Sequence, residues 1–272
     1  MIEAFNVDVK GNRIFYLSKS AQQALASVIF IHGFPFSSAM WKGQLEALSP
    51  QFNGIAYDIP GFGKSLAVHN FFSIDFFARN LLSLLDSLKV RNPILCGISM
   101  GGYIALRAAQ ISATEIKGLV LADTNAIADP DEGKLKRFAT IEQILNGGKA
   151  EFANGFIKNV FCEKSIASAH PAINLIEEII LSTSDTTLCA AQLALASRTD
   201  TSSFLKDINV PALIIRGSED KLMSLAQASQ LHENLSGATF ASIADAGHLP
   251  NLENPEHFNS NLNEFLNKHF LL

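Results

Sequence analysis

The sequence predicts an α/β fold, in which a mostly parallel β-sheet carries helices on both faces. In the first third of the chain, short runs typical of strands alternate with longer segments that have helical periodicity. Residues 28–31 form a continuous apolar run, as expected for a strand that is buried on both of its faces. The alternation resumes near the C-terminus, after a long stretch that contains only helical patterns. These observations predict one eight-stranded sheet interrupted by a helical insertion.

The predicted elements follow one another in a regular order. A hairpin centred on Gly11-Asn12 joins the first two strands, residues 5–10 and 13–17. The other strands are predicted at residues 27–31, 53–57, 93–96, 118–122, 210–215 and 239–243. Helices between and after these strands are predicted at residues 40–48, 74–88, 103–109, 225–231 and 255–267. Short connections of this kind between strands and helices favour parallel strand pairs.

The regular alternation stops near residue 126. Further helical patterns then occur at residues 132–145, 149–160, 172–181 and 186–196, joined by polar turns. We therefore expect residues 1–126 and 204–272 to form the core domain. Residues 127–203 are expected to form an all-helical cap between the sixth and seventh strands.

The composition limits the classes of function. The chain has 272 residues, of which 48% are hydrophobic and 17% charged, which is typical of a well-packed globular protein. A net charge of −5, with no basic stripe interleaved with aromatic residues, argues against a nucleic-acid partner. No apolar run approaches a membrane span, and the first residues show no signal-peptide pattern. With three widely separated cysteines, these features predict a cytoplasmic monomer or homodimer with reduced thiols and no membrane partner.

A short motif between a predicted strand and a predicted helix points to catalysis. The segment Gly97-Ile98-Ser99-Met100-Gly101 has the pattern G-x-S-x-G, which places a serine at the apex of a sharp turn. Such a turn strains the serine backbone, so side chains at Gly97 or Gly101 would collide. The helix that follows directs its free N–H groups toward the serine. A glycine-rich turn is also a common structural connection, so the motif needs partners elsewhere in the chain.

Those partners follow later predicted strands. A nucleophilic serine needs a base to take its proton and a carboxylate to orient that base. Asp220 and His248 each follow a strand of the parallel sheet, and the order Ser99, Asp220, His248 is one that an α/β sheet uses for this purpose. Asp123 is an alternative acid, with a turn-capping role as its structural interpretation. Glu219 and His32 are expected to brace their loops, and Asp58 is expected to do the same.

Two backbone N–H groups are candidates for binding the negative charge that develops on a carbonyl oxygen. One belongs to Met100, the residue after the serine. The other belongs to Phe34, in the segment His32-Gly33-Phe34-Pro35 that follows the third strand. Gly33 allows a close approach of the backbone at this point. No metal or organic cofactor is needed for this chemistry.

Taken together, these motifs resemble those of the α/β-hydrolase fold superfamily. The segments that carry the resemblance span nearly the whole chain and are His32 to Pro35, Asp58 to Ser65, Gly97 to Gly102, Gly217 to Asp220 and Gly247-His248. Within the superfamily, the cap position and the single-glycine loop resemble small capped carboxylesterases, enol-lactonases and cofactor-free haloperoxidases. Haloalkane dehalogenases and epoxide hydrolases carry aspartate where this chain has Ser99. Lipases with a His-Gly-Gly-Gly loop are also disfavoured.

The expected function is hydrolysis of carboxylic esters with small to medium, largely apolar groups, through an acyl-enzyme intermediate. The substrate pocket is expected to include Gly33, Phe36 and Trp41, beside Phe34 and Met100. Phe152, Phe156 and Phe161 are candidates for its cap side. An enol-lactonase acting on an acidic substrate is an alternative, with Arg137 or Arg198 as the cation it would need. C–C bond hydrolysis and perhydrolysis also stay open, as does a ligand-binding receptor that keeps Ser99, Asp220 and His248 but turns over slowly.

Overall fold

One mixed sheet organises the molecule, for which a computed structural model describes residues 1–112 and 115–271. Its eight strands are β1 (Ile2–Val9), β2 (Asn12–Lys19), β3 (Ala26–Ile31), β4 (Phe52–Tyr57), β5 (Pro93–Ile98), β6 (Gly118–Ala122), β7 (Ala212–Gly217) and β8 (Thr239–Ile243). Their order across the sheet is β1-β2-β4-β3-β5-β6-β7-β8. The strand β2 pairs antiparallel with β1 and β4, and all other neighbours are parallel. The predicted eight-stranded, mostly parallel sheet is confirmed.

Helices cover the sheet and supply the rest of the core. Those of the sheet-forming part are α1 (Lys42–Ala47), α2 (Ile74–Ser87), α3 (Met100–Ile111), α9 (Leu225–Asn234), α10 (Pro250–Glu253) and α11 (Pro255–Phe270). Between β6 and β7 lie α4 (Asp131–Leu145), α5 (Lys149–Val160), α6 (Glu163–Ala167), α7 (Ala172–Ser182) and α8 (Asp185–Ala196). We call residues 127–203 the helical segment. The helices α2 and α3 pack together; α3 lies against β3, β5 and β6, whereas α2 lies against β1. The helix α1 packs against α11.

The register of the parallel strands decides where the functional residues lie. Ile98 at the end of β5 pairs with Ala122 of β6, which pairs with Ile215 of β7. On the other side of β5, Ile31 at the end of β3 pairs with Gly97. The residues that follow these strands therefore meet at one edge of the sheet, where open α/β sheets carry their binding sites. The strands themselves are fully buried, as continuous apolar runs predict.

The structure corrects three local predictions. The hairpin turn is Lys10-Gly11, both with positive φ (52° and 83°), rather than Gly11-Asn12. The strand β7 begins two residues later than expected and continues to Gly217. The helices α6 and α10 were not predicted, because four or five residues are too few to show a helical period.

In the described part of the chain, no single helix is long and apolar enough to cross a membrane. The pair α7 and α8 reaches the combined length and hydropathy, but the two helices meet at an angle of 99°. The three cysteines are unpaired thiols: Cys96 and Cys162 are buried and Cys189 is half-buried.

Candidate active site

The turn between β5 and α3 holds Ser99 in a strained backbone conformation. Ser99 has φ 53° and ψ −118°, a region that side chains rarely adopt. A Cβ atom at Gly97 would lie 2.3 Å from the carbonyl oxygen of Gly101. At Gly101 the obstacle is the end of β3, since a Cβ there would lie 2.1 Å from the carbonyl oxygen of Ile31. Both glycines are therefore sterically required, but a side chain at each would collide with a different part of the backbone.

A buried hydrogen bond joins His248 to Asp220. His248 Nδ1 lies 2.9 Å from Asp220 Oδ2, and both side chains are almost completely buried. The other oxygen, Oδ1, accepts from the backbone N–H groups of Leu222 (2.8 Å) and Met223 (3.1 Å). Burial alone would raise the pKa of Asp220, but the adjacent His248 and the hydrogen bonds to the carboxylate lower it to about 2. Because Nδ1 faces the carboxylate, Nε2 is the ring nitrogen left for other contacts.

The alternative acid, Asp123, lies beside this pair without replacing Asp220. Its Oδ1 accepts from the backbone N–H of Gly217 at 2.9 Å, so it joins β6 to β7 rather than capping the turn that follows it. Oxygen and nitrogen atoms of Asp123, Asp220 and His248 lie within 4.8 Å of one another. Burial, followed by the charge of Asp220, raises the pKa of Asp123 well above its ordinary value.

An imidazole and two carboxylates are ligand types that a divalent cation accepts. Here, however, N–H groups already donate to both oxygens of Asp220 and to Oδ1 of Asp123. In the described structure this leaves Asp123 Oδ2 as the one oxygen of the two carboxyls with no N–H donor. We therefore interpret the cluster as a hydrogen-bonded unit rather than a metal centre.

His32 and Asp58 brace the loops on the other side of Ser99. His32 Nδ1 donates to the carbonyl oxygen of Gly33 (2.8 Å), and Nε2 accepts from the backbone N–H of Ile59 (3.0 Å). Burial lowers the pKa of His32 to about 4. Asp58 accepts from the backbone N–H groups of Ser38 and Lys64. Both ring nitrogens of His32 are thus occupied, as its expected structural role requires.

The backbone N–H groups of Phe34 and Met100 donate to no described residue. Met100 begins α3, so its N–H is one of the groups that a helix leaves without an internal partner. The loop that carries Phe34 lies directly against Ser99, because a Cβ at Gly33 would be 3.1 Å from Ser99 Cβ. Two backbone N–H groups without a described acceptor therefore lie near Ser99, one from Phe34 and one from Met100.

A cavity of about 580 Å³ opens at this edge of the sheet, and both Ser99 and His248 line it. Its apolar lining includes Phe34, Met100, Tyr103, Phe152, Phe156, Leu222 and Met223. Its polar lining comes mainly from the helical segment and includes Asp129, Lys136, Arg137, Gln143, Glu151, Asn159, Gln192 and Arg198. The cavity is therefore more polar than the pocket for largely apolar groups that the sequence predicted.

Four expected pocket residues do not line this cavity. Phe36, Trp41 and Phe161 are fully buried in the core. Gly33 is buried against Ser99. Trp41 packs against Phe30, a contact between β3 and the chain that follows it. The ring of Phe36 packs 5.9 Å from that of Phe156, because contact with other apolar rings removes these aromatic side chains from water without placing them at the cavity surface. Phe152 and Phe156, by contrast, do line the cavity.

Residues 28–259 match the family model of the alpha/beta hydrolase family. The chain belongs to this family. It is 28% identical over 235 residues to 3-oxoadipate enol-lactonase 1 of Acinetobacter baylyi, which covers 85% of each chain. It is also similar to the solved structure of a thermophilic esterase from Thermogutta terrifontis, with a TM-score of 0.90, 29% identity and coverage of 98% and 99%. For the enol-lactonase from Burkholderia xenovorans the TM-score is 0.88, with 25% identity and coverage of 96% and 99%.

In this hydrolase, both arginines considered for an acidic substrate reach the cavity, and both contact Asp129. Arg137 Nε and Arg198 Nη1 each bind one oxygen of the Asp129 carboxylate. Burial acts to raise the pKa of Asp129, but the two guanidinium groups outweigh it and lower the pKa. Arg137 also donates to Gln192 at 3.0 Å. Two cations thus share one anion at this wall, which leaves an excess of positive charge.

Two residues that the sequence analysis gave no role hold the hydrolase site together. Arg216 donates from its guanidinium to the carbonyl oxygens of Met223, Ser218 and Asp220, and so fixes the loop that carries Asp220. Glu253 accepts from the backbone N–H groups of Gly247 (2.7 Å) and Cys162 (2.8 Å). The contacts of Arg216 are local, within seven residues, but no motif marks it as a loop brace. The contact of Glu253 with Cys162 joins residues 91 apart in sequence, so folding alone reveals it.

Proposed function

We propose that this alpha/beta hydrolase is a serine hydrolase that cleaves carboxylic esters through an acyl-enzyme intermediate. The observation that carries the proposal is the buried His248–Asp220 hydrogen bond, at a cavity that His248 shares with Ser99 on its strained turn. A serine hydroxyl is a weak nucleophile until a base accepts its proton. The free Nε2 of His248 is the group proposed to accept it.

The proposed mechanism has two halves. Ser99 Oγ attacks the ester carbonyl carbon while His248 takes the hydroxyl proton, and the N–H groups of Phe34 and Met100 donate to the resulting oxyanion. His248 then returns the proton to the departing alcohol, and Ser99 is left acylated. Water, deprotonated by His248, attacks the acyl-enzyme carbonyl; the bond to Ser99 Oγ then breaks, His248 returns the proton to Oγ, and the acid is released. Asp220 keeps the imidazole in the required tautomer and stabilises its cation.

The helical segment, residues 127–203, is proposed to act as a cap over this site. It supplies Phe152 and Phe156 to the cavity, and the ring of Phe34 packs 6.2 Å and 6.1 Å from their ring centroids. These rings would hold the apolar part of a substrate near Ser99. The polar side chains of α4 and α8 favour a substrate with a polar or charged group at the other end.

The first experiment is hydrolysis of a chain-length series of p-nitrophenyl esters by the wild type, Ser99→Ala and Ser87→Ala. Ser99→Ala should lower kcat by roughly a thousandfold or more, because the nucleophile is lost. Ser87 is an exposed serine at the end of α2, so its variant controls for the substitution itself. A wild type inactive on every ester, or an active Ser99→Ala, would contradict the esterase proposal.

A second candidate is hydrolysis of an anionic ester or enol-lactone. It is favoured by the excess positive charge of Arg137 and Arg198 over Asp129 at the cavity wall. Two similar proteins are named as enol-lactonases. Of the two arginines, Arg137 is the better one to change, because the Arg198 side chain is only 4% exposed and is held from several sides.

The second experiment compares neutral and carboxylate-bearing esters of equal chain length, and a γ-lactone that carries a carboxylate. Arg137→Gln should lower kcat/KM about tenfold or more for the anionic substrates and leave the neutral ester within about threefold. Lys134→Gln removes the same charge from α4 at a position outside the cavity lining and serves as the control. An equal loss on both substrate types would remove the case for an anionic substrate.

A further inference from the structure

Asp123 is a buried carboxyl that the proposed mechanism does not use. It follows β6 between the ends of β5 and β7, is 2% exposed and has a positive φ of 42°. Its backbone N–H donates to the carbonyl oxygen of Ile215, and its Oδ1 accepts from Gly217. Its Oδ2 is buried and accepts from no described N–H or O–H group. A buried charged oxygen without a donor is costly, so this atom needs an explanation.

The neighbouring carboxyl of Asp220 offers an explanation for the unpartnered Oδ2 of Asp123. Oxygens of Asp123 and Asp220 lie within 4.8 Å of each other, and Oδ2 of Asp123 has no other described hydrogen-bond partner. Two ionised carboxylates this close in a buried site repel each other, so one of them holds a proton. The electrostatic surroundings of the pair decide which carboxyl that is.

The hydrogen-bond donors divide unequally between the two carboxyls. Among the described residues, Asp220 accepts from Leu222, Met223 and His248, whereas Asp123 accepts only from Gly217. Three donors stabilise a carboxylate more than one does, so the proton belongs on Asp123. The charged and titratable groups that act on Asp123 are Asp220, from the loop after β7, Arg216 of β7 and the neighbouring His248.

We propose that Asp123 is a positioning residue that keeps a proton on Oδ2 at neutral pH and donates it to the Asp220 carboxylate. The pair then carries one proton and one negative charge. Asp220 is held from both sides, by His248 and by Asp123, and stays ionised next to the imidazole. The protonation of Asp123 stands independently of the reaction, whereas its effect on catalysis rests on the proposed function.

Infrared difference spectroscopy at pH 7 tests the protonation without any substrate. The wild type should show the carbonyl-stretching band of a protonated carboxyl, and Asp123→Asn should lack it. Asp86→Asn changes an exposed carboxylate on α2 and should keep the band. Absence of the band in the wild type, or its persistence in Asp123→Asn, would overturn the proposal even if the protein proves to be an excellent esterase.

The pH profile of ester hydrolysis tests the positioning role. An asparagine can accept from Gly217 and donate to Asp220, so Asp123→Asn should keep kcat within about threefold and leave the acidic limb of kcat/KM in place. Asp123→Ala cannot donate, and should lower kcat about tenfold with little change in KM. If Asp123 were ionised, Asp123→Asn would remove an anion near His248 and move the acidic limb to lower pH, which would overturn the proposal. A wild type without esterase activity would count against the proposed function alone.

Discussion

His32 and His248 show how hydrogen bonds give the same residue type two different roles. Both are fully buried at the same edge of the sheet. Within residues 1–112 and 115–271, both ring nitrogens of His32 bond to backbone groups, whereas His248 bonds through Nδ1 alone, to Asp220. A base needs a free nitrogen, so His248 is the candidate and His32 is not. The sequence predicted this assignment from the loops alone, and the geometry of both rings agrees with it.

The lowered pKa of His32 predicts a pH-dependent stability. The unfolded chain binds a proton at about the ordinary pKa of 6.5, whereas the folded chain binds it only at about 4. The contribution of His32 to the free energy of unfolding is therefore complete above pH 6.5 and is lost progressively as the pH falls toward 4. That loss should reach about 3 kcal/mol.

Urea unfolding of the wild type and His32→Gln at pH 7 and pH 4.5 measures this contribution. His32→Gln should be less stable at pH 7, yet its stability should fall less between the two pH values, by about 2 to 3 kcal/mol. The pKa of Asp220 is lowered from 3.8 to about 2, so its contribution to stability is lost mainly below pH 3.8; this loss is common to both proteins and cancels in the comparison. The control is His257→Gln, on the surface of α11. Parallel pH dependences for wild type and His32→Gln would refute the prediction.

Among the elements, the turn from β5 to α3 is tightly constrained at two positions. Its backbone passes so close to the end of β3 and to its own helix that two positions admit no side chain beyond hydrogen. The spacing of the glycines made this turn predictable, because the restriction is local to five residues. The collision of a side chain at Gly101 with Ile31 was not predictable, since it depends on how β3 pairs with β5.

We expect Gly97→Ala to destabilise the turn and displace Ser99. The added Cβ would lie 2.3 Å from the Gly101 carbonyl oxygen, so the backbone must shift. The free energy of unfolding should fall by about 2 to 3 kcal/mol. Ester hydrolysis should fall by about a hundredfold or more, because small displacements of a nucleophile are costly.

Gly43→Ala is the matched control for this substitution. Gly43 lies on the exposed side of α1, and a Cβ there would meet no atom within 4 Å. An alanine should therefore stabilise the protein by about 0.4 to 1 kcal/mol, through a smaller loss of backbone entropy on folding. Thermal unfolding and hydrolysis of both variants make the comparison. A Gly97→Ala protein as stable and active as the wild type would show that the turn tolerates a side chain.

On the scale of the whole molecule, the two ends of the helical segment are joined to each other, and its middle is bonded to a loop that follows β8. At the ends, the backbone N–H of Thr201 donates to Ala126 (2.8 Å), and Arg198 donates to the carbonyl oxygen of Ile127 and binds Asp129. In the middle, the N–H of His248 donates to the carbonyl oxygen of Val160 at 2.8 Å. The loop that carries His248 is thus positioned partly by the helical segment.

Arg198→Met should loosen the contact between the two ends of the helical segment. It leaves Asp129 buried with one guanidinium group instead of two and removes the donors to Ile127. Because Asp129 keeps Arg137 as a partner, the loss is that of hydrogen bonds to a charged group, and the free energy of unfolding should fall by about 1.5 to 3 kcal/mol. Hydrogen exchange should increase at residues 127–130 and 195–201.

The control is Arg107→Met, which breaks a partly exposed ion pair with Asp75 between α2 and α3. Exposed and half-exposed pairs contribute about 0 to 1 kcal/mol, so this variant should change stability much less. Chemical denaturation of both variants gives the two values. Equal losses would mean that burial of Arg198 adds nothing to its contribution.

The sequence by itself determined the features that depend on local pattern and chain order. These are the eight strands, the position of the helical segment, the turn at Ser99, and the order in which Ser99, Asp220 and His248 follow parallel strands. Periodicity reports burial of one face, and parallel strands place their carboxyl ends at one edge, so both can be inferred without coordinates.

Only the tertiary structure decided which side chains meet. It placed Phe36 and Trp41 in the core rather than in the cavity, brought Asp123 next to Asp220, and set Arg137 and Arg198 on one Asp129. Each of these contacts joins residues that are far apart in sequence, and each depends on the directions of side chains within a packed interior. A periodic pattern specifies which face of an element is buried, but not which neighbour that face will contact.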